Sequence, residues 1–257
     1  MKRITGKIPM PVPPFRQILG RPLAEEIAVA ITYNASTQAV MMATPQDLED
    51  FAYGFSLTEG IATREEIMEI ELAEVPRGID LRIWLRPQAG QRLAERRRMM
   101  TGPVGCGLCG IDSLEQALRD MAPVTRDVRL TQADLETAIG TMRDHQPLHD
   151  ATRAAHAAGF WQPGHGYRAV REDVGRHNAL DKLAGALAGE GNGAVVMTSR
   201  VSVDLVQKVA AMNVPVLIAV SAPTAQAVEM ADRLNITLVG LARSTSFQCF
   251  THPHRLA

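Results

Sequence analysis

The residues best suited to chemistry in this chain form a short glycine-rich loop, Gly105-Cys106-Gly107-Leu108-Cys109-Gly110. Glycines at 102, 105, 107 and 110 give its backbone a freedom that a packed element does not need. The basic run Arg96-Arg97-Arg98 precedes it, and the Ser113/Gln116 pattern marks a helix start just after it. Positive charge and a helix N-terminus both favour thiolate, the nucleophilic form of cysteine. Such a pair is open to three readings: half of a zinc site completed by Cys249 or a histidine, a redox or sulfur-handling dithiol, or two small residues in a turn. A second C-x-x-C is missing, which counts against a closed structural zinc site.

A second concentration of functional groups runs from Arg171 to Lys182, Arg171-Glu172-Asp173-Val174-Gly175-Arg176-His177-Asn178-Ala179-Leu180-Asp181-Lys182. A helix beginning near Asn178 would set Arg176 and His177 at its N-terminus, where an anion can bind. Periodicity alone favours a plainer reading, a solvated helix face with local ion pairs. His156 stands alone in an alanine-rich segment and reads as a satisfied core group. Phe51, Tyr53, Phe55 and most of the twelve methionines also read as core. Cys249 reads as a small buried hydrophobe.

The elements that must position these groups follow from patterning. Residues 1–20 hold Pro9, Pro11, Pro13 and Pro14 and read as an irregular arm. Residues 21–95 read as a small α+β unit. Its strands are expected over Glu26–Tyr33, Gln38–Ala43, Ile67–Ala73 and Ile79–Leu85, with a turn at Asn34-Ala35-Ser36-Thr37. Thr44 as N-cap and Pro45 at the first position predict a helix that Gly60 ends. Residues 96–257 read as one α/β domain carrying the cysteine loop. Helices are expected over Leu114–Met121, Asp134–Arg143 and Asn178–Leu187. The stretch from Ala194 to Leu241 then alternates strand, helix, strand, helix, strand: Ala194–Thr198, Val201–Met212, Val214–Val220, Pro223–Leu234 and Ile236–Leu241. Short connections in such a run predict a parallel sheet covered by helices. Ligands bind beyond the carboxyl ends of such strands. Those ends are Thr198-Ser199-Arg200, Ser221-Ala222-Pro223-Thr224 and Ala242-Arg243-Ser244.

Bulk properties narrow the class. The 257 residues are 46% hydrophobic but only 4% aromatic, so an aliphatic core forms. A net charge of -1 gives no general attraction to nucleic acid or anionic membrane, so any anion site is local. Three cysteines in a chain this long fit a reducing cytoplasm rather than a disulfide scaffold. No apolar signal core follows Met1-Lys2-Arg3, and Val214–Val220 is too short to span a bilayer. A soluble cytoplasmic protein is expected. No internal repeat is seen.

Taken together, the motifs resemble the FdhD family, the sulfur-carrier accessory proteins of formate dehydrogenase. Four blocks carry the resemblance: Tyr53-Gly54-Phe55 through Glu59-Gly60, the loop Cys106 to Gly110, the run Glu172 to Lys182, and Thr198-Ser199-Arg200 through Ser221-Ala222-Pro223-Thr224. The resemblance implies a cytidine-deaminase-like three-layer αβα domain beside the smaller unit, and a homodimer. It implies that a cysteine desulfurase delivers sulfur to Cys106 as a persulfide, with Cys109 as a relay. It implies transfer of that sulfur to the molybdenum cofactor bis-molybdopterin guanine dinucleotide, which GDP-like nucleotides would mimic, for use by formate dehydrogenase. The family's cofactor-binding stretch falls on Leu241-Ala242-Arg243-Ser244-Thr245-Ser246, in agreement with the strand-end argument. Ser199, Arg200, Ser221, Thr224, Arg176 and His177 complete the expected cofactor contacts. No resident metal is expected. The family pattern has Thr-Gly-Gly before its histidine, whereas here the segment is Thr152-Arg153-Ala154-Ala155-His156, with Arg153 in place of a glycine. Two rivals stand beside this reading: a zinc hydrolase of the deaminase type, which the missing H-x-E opposes, and a chaperone that only ferries the cofactor.

Overall fold

The computed structural model describes residues 3–4, 13–100, 120–189 and 191–257. The N-terminal part holds β1 (Arg3–Ile4), β2 (Phe15–Ile18), β3 (Arg21–Ala24), β4 (Ile27–Tyr33), β5 (Ser36–Ala43), α1 (Leu48–Thr58), β6 (Ile67–Val75), β7 (Gly78–Leu85) and α2 (Pro87–Met100). Its five-stranded sheet has the order β1-β6-β7-β4-β5. β4 and β5 form one hairpin and β6 and β7 another, and the two join through the parallel β4–β7 pair. Asn34 and Ala35 turn the first hairpin at φ 47° and 65°, the left-handed geometry of a tight hairpin turn. Along β7 the side chains alternate, with Ile79, Leu81, Ile83 and Leu85 buried. They meet Phe51, Ala52 and Phe55 of α1 in one apolar layer.

Three expectations are corrected here. The arm is not irregular throughout, because β2 and β3 pair as a separate two-stranded ribbon turned at Leu19 and Gly20. Period-two alternation carries no apolar signal in so polar a ribbon. Helix α1 starts at Leu48, not at Pro45, with Asp47 as N-cap at φ 52°. Thr44 is occupied elsewhere: its N–H donates to Asp173 and its hydroxyl accepts the Val174 N–H. Gly60 does end the helix, at φ 64°. Helix α2 has few apolar positions, with Ala89 and Leu93 buried, and it carries the chain across the expected boundary at residue 95.

The C-terminal part holds α3 (Gln132–Thr141), α4 (Pro147–Thr152), β8 (His156–Gln162), β9 (Gly166–Asp173), α5 (Arg176–Ala186), β10 (Ala194–Met197), α6 (Val203–Ala211), β11 (Val216–Ala219), α7 (Ala225–Arg233), β12 (Thr237–Arg243) and β13 (Ser246–Cys249). The expected parallel run is present as β10-β11-β12. Antiparallel β13 extends one side and the β8–β9 hairpin the other, giving the order β13-β12-β11-β10-β8-β9. Both faces are buried. Val195, Met197, Leu217 and Leu238 pack with Leu180, Leu205, Val209 and Met230 from α5, α6 and α7. Val196, Val216, Ile218 and Val239 pack with Leu135, Ala138 and Met142 on the other side. Burial on both faces explains the near-continuous apolar strand sequences. Thr131 and Asp134 form the capping box that starts α3. Of the helix expected over Leu114–Met121, only Asp120 and Met121 are described, and neither is helical. Among the described residues, no helix is long and apolar enough to cross a membrane.

The two sheets are joined through α1 and α5. A Cβ on Gly54 would lie 1.6 Å from the Asp181 carbonyl oxygen, and one on Gly185 would lie 1.9 Å from that of Asp50. The two helices therefore cross in backbone contact, each supplying a glycine where the other passes. Arg64 stacks on the Tyr53 ring at 3.8 Å and donates to the Gly185 carbonyl, closing one side of the crossing.

Candidate functional site

The run Arg171 to Lys182 is not a solvated helix face. Asp173, Asn178, Asp181 and Lys182 are buried, and their polar atoms are spent on one another and on Met42, Thr44, Thr58 and Lys208. The Asp173 carboxylate accepts from the Thr44 and Gly175 N–H groups, from Asn178 and from Lys182 Nζ at 2.6 Å. Lys182 also donates to the Thr44 carbonyl at 2.8 Å. Burial pulls the Lys182 ammonium below its usual range, and the Asp173 charge opposes it. One residue before Lys182, Asp181 accepts from the Thr58 hydroxyl at 2.6 Å and from Lys208 at 2.9 Å. Lys208 also pairs with Glu59 at 2.7 Å. Burial raises the Asp181 carboxyl, and Lys208 acts against that rise. Burial lowers Lys208, but the Asp181 and Glu59 carboxylates outweigh it and hold the ammonium above its usual range. Breaking one member of such a pair leaves a buried charge uncompensated, at a cost of about 3–5 kcal/mol. These groups form the clamp between α1, α5 and α6. The periodicity argument missed it because burial across a helix–helix contact leaves no mark in a single helix's pattern. Lys208 was the available signal, a charge set among the apolar residues Leu205, Val206, Val209 and Ala210 of α6.

What the clamp positions is the carboxyl edge of the six-stranded sheet. β9, β10, β11 and β12 all end there, and α5, α6 and α7 begin there. Antiparallel β8 starts at the same edge with His156. Three helix N-termini, each positive, thus face one rim. The rim loops are laced by backbone bonds: Val201 N–H donates to the Ala222 carbonyl, Thr224 N–H to that of Val201, and Leu241 N–H to that of Ser221.

The expected contacts divide on this rim. Arg200 is exposed, and Ser199 is buried with its hydroxyl donating to the Arg200 carbonyl at 2.9 Å. Ser221 is half-buried between them and β12. Leu241 stands 45% exposed at φ 52°, where the β12–β13 pairing slips by a bulge. Arg243 donates from one terminal nitrogen to the Val220 and Ala242 carbonyls, which fixes the guanidinium over the end of β11. Ser244, Thr245 and Ser246 continue as an exposed turn. Two expected residues have other work. Ala242 is fully buried in the apolar layer, so it has only backbone to offer. The Thr224 hydroxyl accepts the Ala227 N–H as the N-cap of α7.

Arg176 and His177 open α5 on the same rim. Among the described residues, Arg176 Nε, His177 Nε2 and the hydroxyl of Ser202, the N-cap of α6, are buried without a hydrogen-bond partner. Burial, with the charges of Arg176 and Lys208, holds His177 below the usual imidazole range, and Asp204 at 3.8 Å opposes this weakly. His156, read from sequence as a core group, is instead half-buried at the rim. Cys249 is half-buried on the edge strand β13, its thiol donating to the Thr251 carbonyl and raised by burial. Cys106 and Cys109 lie outside the described residues. Among the described residues no group of three or more His, Cys, Asp or Glu side chains is placed to hold a metal ion.

The FdhD/NarQ family model matches residues 24–257. The chain belongs to the FdhD/NarQ family. It is 52% identical over 244 residues to the sulfur carrier protein FdhD of Agrobacterium fabrum, covering 92% of this chain and 89% of the relative. It is 48% identical to the sulfur carrier protein FdhD of Cupriavidus necator, covering 91% of this chain and 83% of the relative. A crystal structure from Desulfotalea psychrophila, assigned as a formate dehydrogenase accessory protein, superposes with a TM-score of 0.70 at 26% identity, covering 92% of this chain and 91% of that one. The departure at Arg153 now has a structural meaning. This residue closes α4 at φ 59°, in the left-handed region where glycine is free of strain. A glycine fits that position for backbone reasons, and this chain tolerates arginine there.

Proposed function

We propose that this protein is a sulfur carrier with sulfurtransferase activity, acting in the cytoplasm as a homodimer. In this reading a cysteine desulfurase places a persulfide sulfur on Cys106. Cys109 relays or releases it, and the acceptor is a molybdenum bis-molybdopterin guanine dinucleotide destined for formate dehydrogenase. One observation carries the reading: Arg176, Arg200 and Arg243 share a single sheet edge with three helix N-termini, in a chain whose net charge is only -1. That local concentration suits a ligand with several phosphates. The exposed turn Arg243–Ser246 would border it, and GDP would occupy part of the same site. The names of the relatives support the same role. The cytidine-deaminase-like description of the C-terminal domain rests on the resemblance, and a mixed sheet buried on both faces is compatible with it.

Release of the sulfur is a thiol–disulfide exchange in outcome. The Cys109 thiolate attacks the inner sulfur as the terminal sulfur leaves for the acceptor, and a Cys106–Cys109 disulfide remains. The test is intact-mass spectrometry after incubation with a desulfurase and cysteine. Wild type gains one sulfur, and Cys106→Ala gains none. Added sulfur that persists in Cys106→Ala removes the role given to that residue. A Cys106→Ala/Cys109→Ala double variant that still activates formate dehydrogenase favours a ferrying role over a carrier.

A further inference from the structure

The starts of α5 and α6 meet at one corner of the rim, and neither is capped by a side chain. Helix α5 opens on Gly175, and the Ser202 hydroxyl at the start of α6 makes no cap bond. His177 stands in the first turn of α5. Its Nε2 is buried, has no hydrogen-bond partner among the described residues, and lies 3.8 Å from a carboxylate oxygen of Asp204 in the first turn of α6. That separation allows an ion pair but is too long for a hydrogen bond. The ring thus faces a carboxylate to which it is not bonded. The charged groups around it come from three helices: Arg176 on α5, Lys208 and Asp204 on α6, and Glu59 at the end of α1. Lys208 and Glu59 are already paired with each other, and Lys208 also with Asp181. Arg176 and Asp204 remain as the charges that respond to a newcomer.

We propose that His177 and Asp204 form a proton-driven latch between α5 and α6, in which an anionic ligand at the rim draws a proton onto His177 and the imidazolium closes on Asp204. The inference rests on the reading of this rim as the site of a phosphate-bearing ligand. The proton comes from solvent, and the only bond formed is Nε2–H donating to the carboxylate. Closure needs roughly 1 Å of movement, from 3.8 Å to about 2.8 Å. The Asp204 side chain is 59% exposed and free to make it.

The empty corner favours the neutral ring. Burial, then the charges of Arg176 and Lys208, oppose protonation, and the uncapped helix starts add to them. A phosphate drawn to Arg176 and to the helix starts cancels much of that positive potential. The pairing in turn neutralises Asp204, which otherwise repels the ligand. Such coupling is reciprocal, so the ligand favours the proton by the same factor as the proton favours the ligand. Binding takes a proton up, so affinity rises as pH falls, by at most about tenfold per pH unit for one proton.

The experiment uses the full chain and GDP-mannose, whose pyrophosphate is esterified at both ends, as in a dinucleotide, and keeps a constant charge across the histidine range. Titration calorimetry at about pH 6.5 in two buffers of different ionisation enthalpy counts the protons taken up. Wild type takes up roughly half a proton per ligand bound, and its affinity rises about 3-fold from about pH 7.5 to 6.5. His177→Gln takes up none, and its affinity is flat with pH. Asp204→Asn keeps the ring but removes its partner, so uptake falls and its maximum moves to lower pH. A ring with only a structural role shows neither effect. Binding by wild type without proton uptake overturns the inference alone. So does uptake that persists in His177→Gln or is unchanged in Asp204→Asn. A wild type that does not bind GDP-mannose overturns the reading of the rim, and the inference falls with it.

Discussion

Replacing Gly54 by alanine sets a methyl carbon 1.6 Å from the Asp181 carbonyl oxygen, where ordinary contact begins near 3.4 Å. Helix α1 must then retreat from α5 by roughly 1.8 Å, because the obstacle is backbone on both sides. The Thr58–Asp181 bond at 2.6 Å and the Lys208–Glu59 pair at 2.7 Å both tie the end of α1 to its neighbours and cannot survive a shift of that size. Overpacking costs about 1–3 kcal/mol. Stranding a buried charge costs about 3–5 kcal/mol. Together these approach the whole stability of an ordinary domain, about 5–15 kcal/mol. The Gly54→Ala protein is expected to be largely insoluble, or to melt at least about 10 °C below wild type. Gly60→Ala is the matched control. Nothing lies within 4 Å of a Cβ there, and only the positive φ of 64° opposes it. That control costs about 1 kcal/mol, or about 2–4 °C. Thermal unfolding followed by circular dichroism separates the two. A Gly54→Ala melting point within about 3 °C of wild type refutes the helix crossing, and with it the clamp that orients Arg176 and His177.

Arg153→Gly relieves a left-handed arginine and gives up only an exposed ion pair to Asp150, so it raises stability by about 1 kcal/mol, read as a melting point about 2–4 °C higher. An unchanged or lower melting point would show that α4 does not end as described. His177 has its imidazole depressed below its unfolded value near 6.5, so its contribution to stability is present above that pH and lost as pH falls through the folded value. Denaturant midpoints should therefore fall from pH 7.5 to 5.5 more steeply in wild type than in His177→Gln, and parallel curves would contradict the burial of that ring. Arg243→Ala should weaken GDP binding about 10-fold or more, measured by calorimetry, because a charge-assisted bond to phosphate is worth about 1.5–3 kcal/mol. Wild-type affinity in that variant would remove the β12–β13 turn from the site.

The parallel run β10-β11-β12 was legible because its strands are buried on both faces and its connections are short, so apolar length alone marks each element. That topology alone places Ser199, Arg200, Ser221 and Arg243 on one edge. The cap that Thr224 makes on α7 and the burial of Ala242 are not separable in sequence from their neighbours on the rim. The ribbon β2–β3 and helix α2 went unseen because both sequences are dominated by polar residues with no regular apolar stripe. The larger miss was the run Glu172 to Lys182. Its charges looked solvated because their partners Thr44, Thr58 and Lys208 are far away in the chain.

The most direct test loads the chain with isotopically labelled sulfur through a desulfurase, then adds guanine-dinucleotide molybdenum cofactor and follows the label. The account predicts that label leaves Cys106 and appears on the cofactor, and that Cys106→Ala passes none. Label that stays on the wild-type protein, or reaches the cofactor equally through Cys106→Ala, would contradict it.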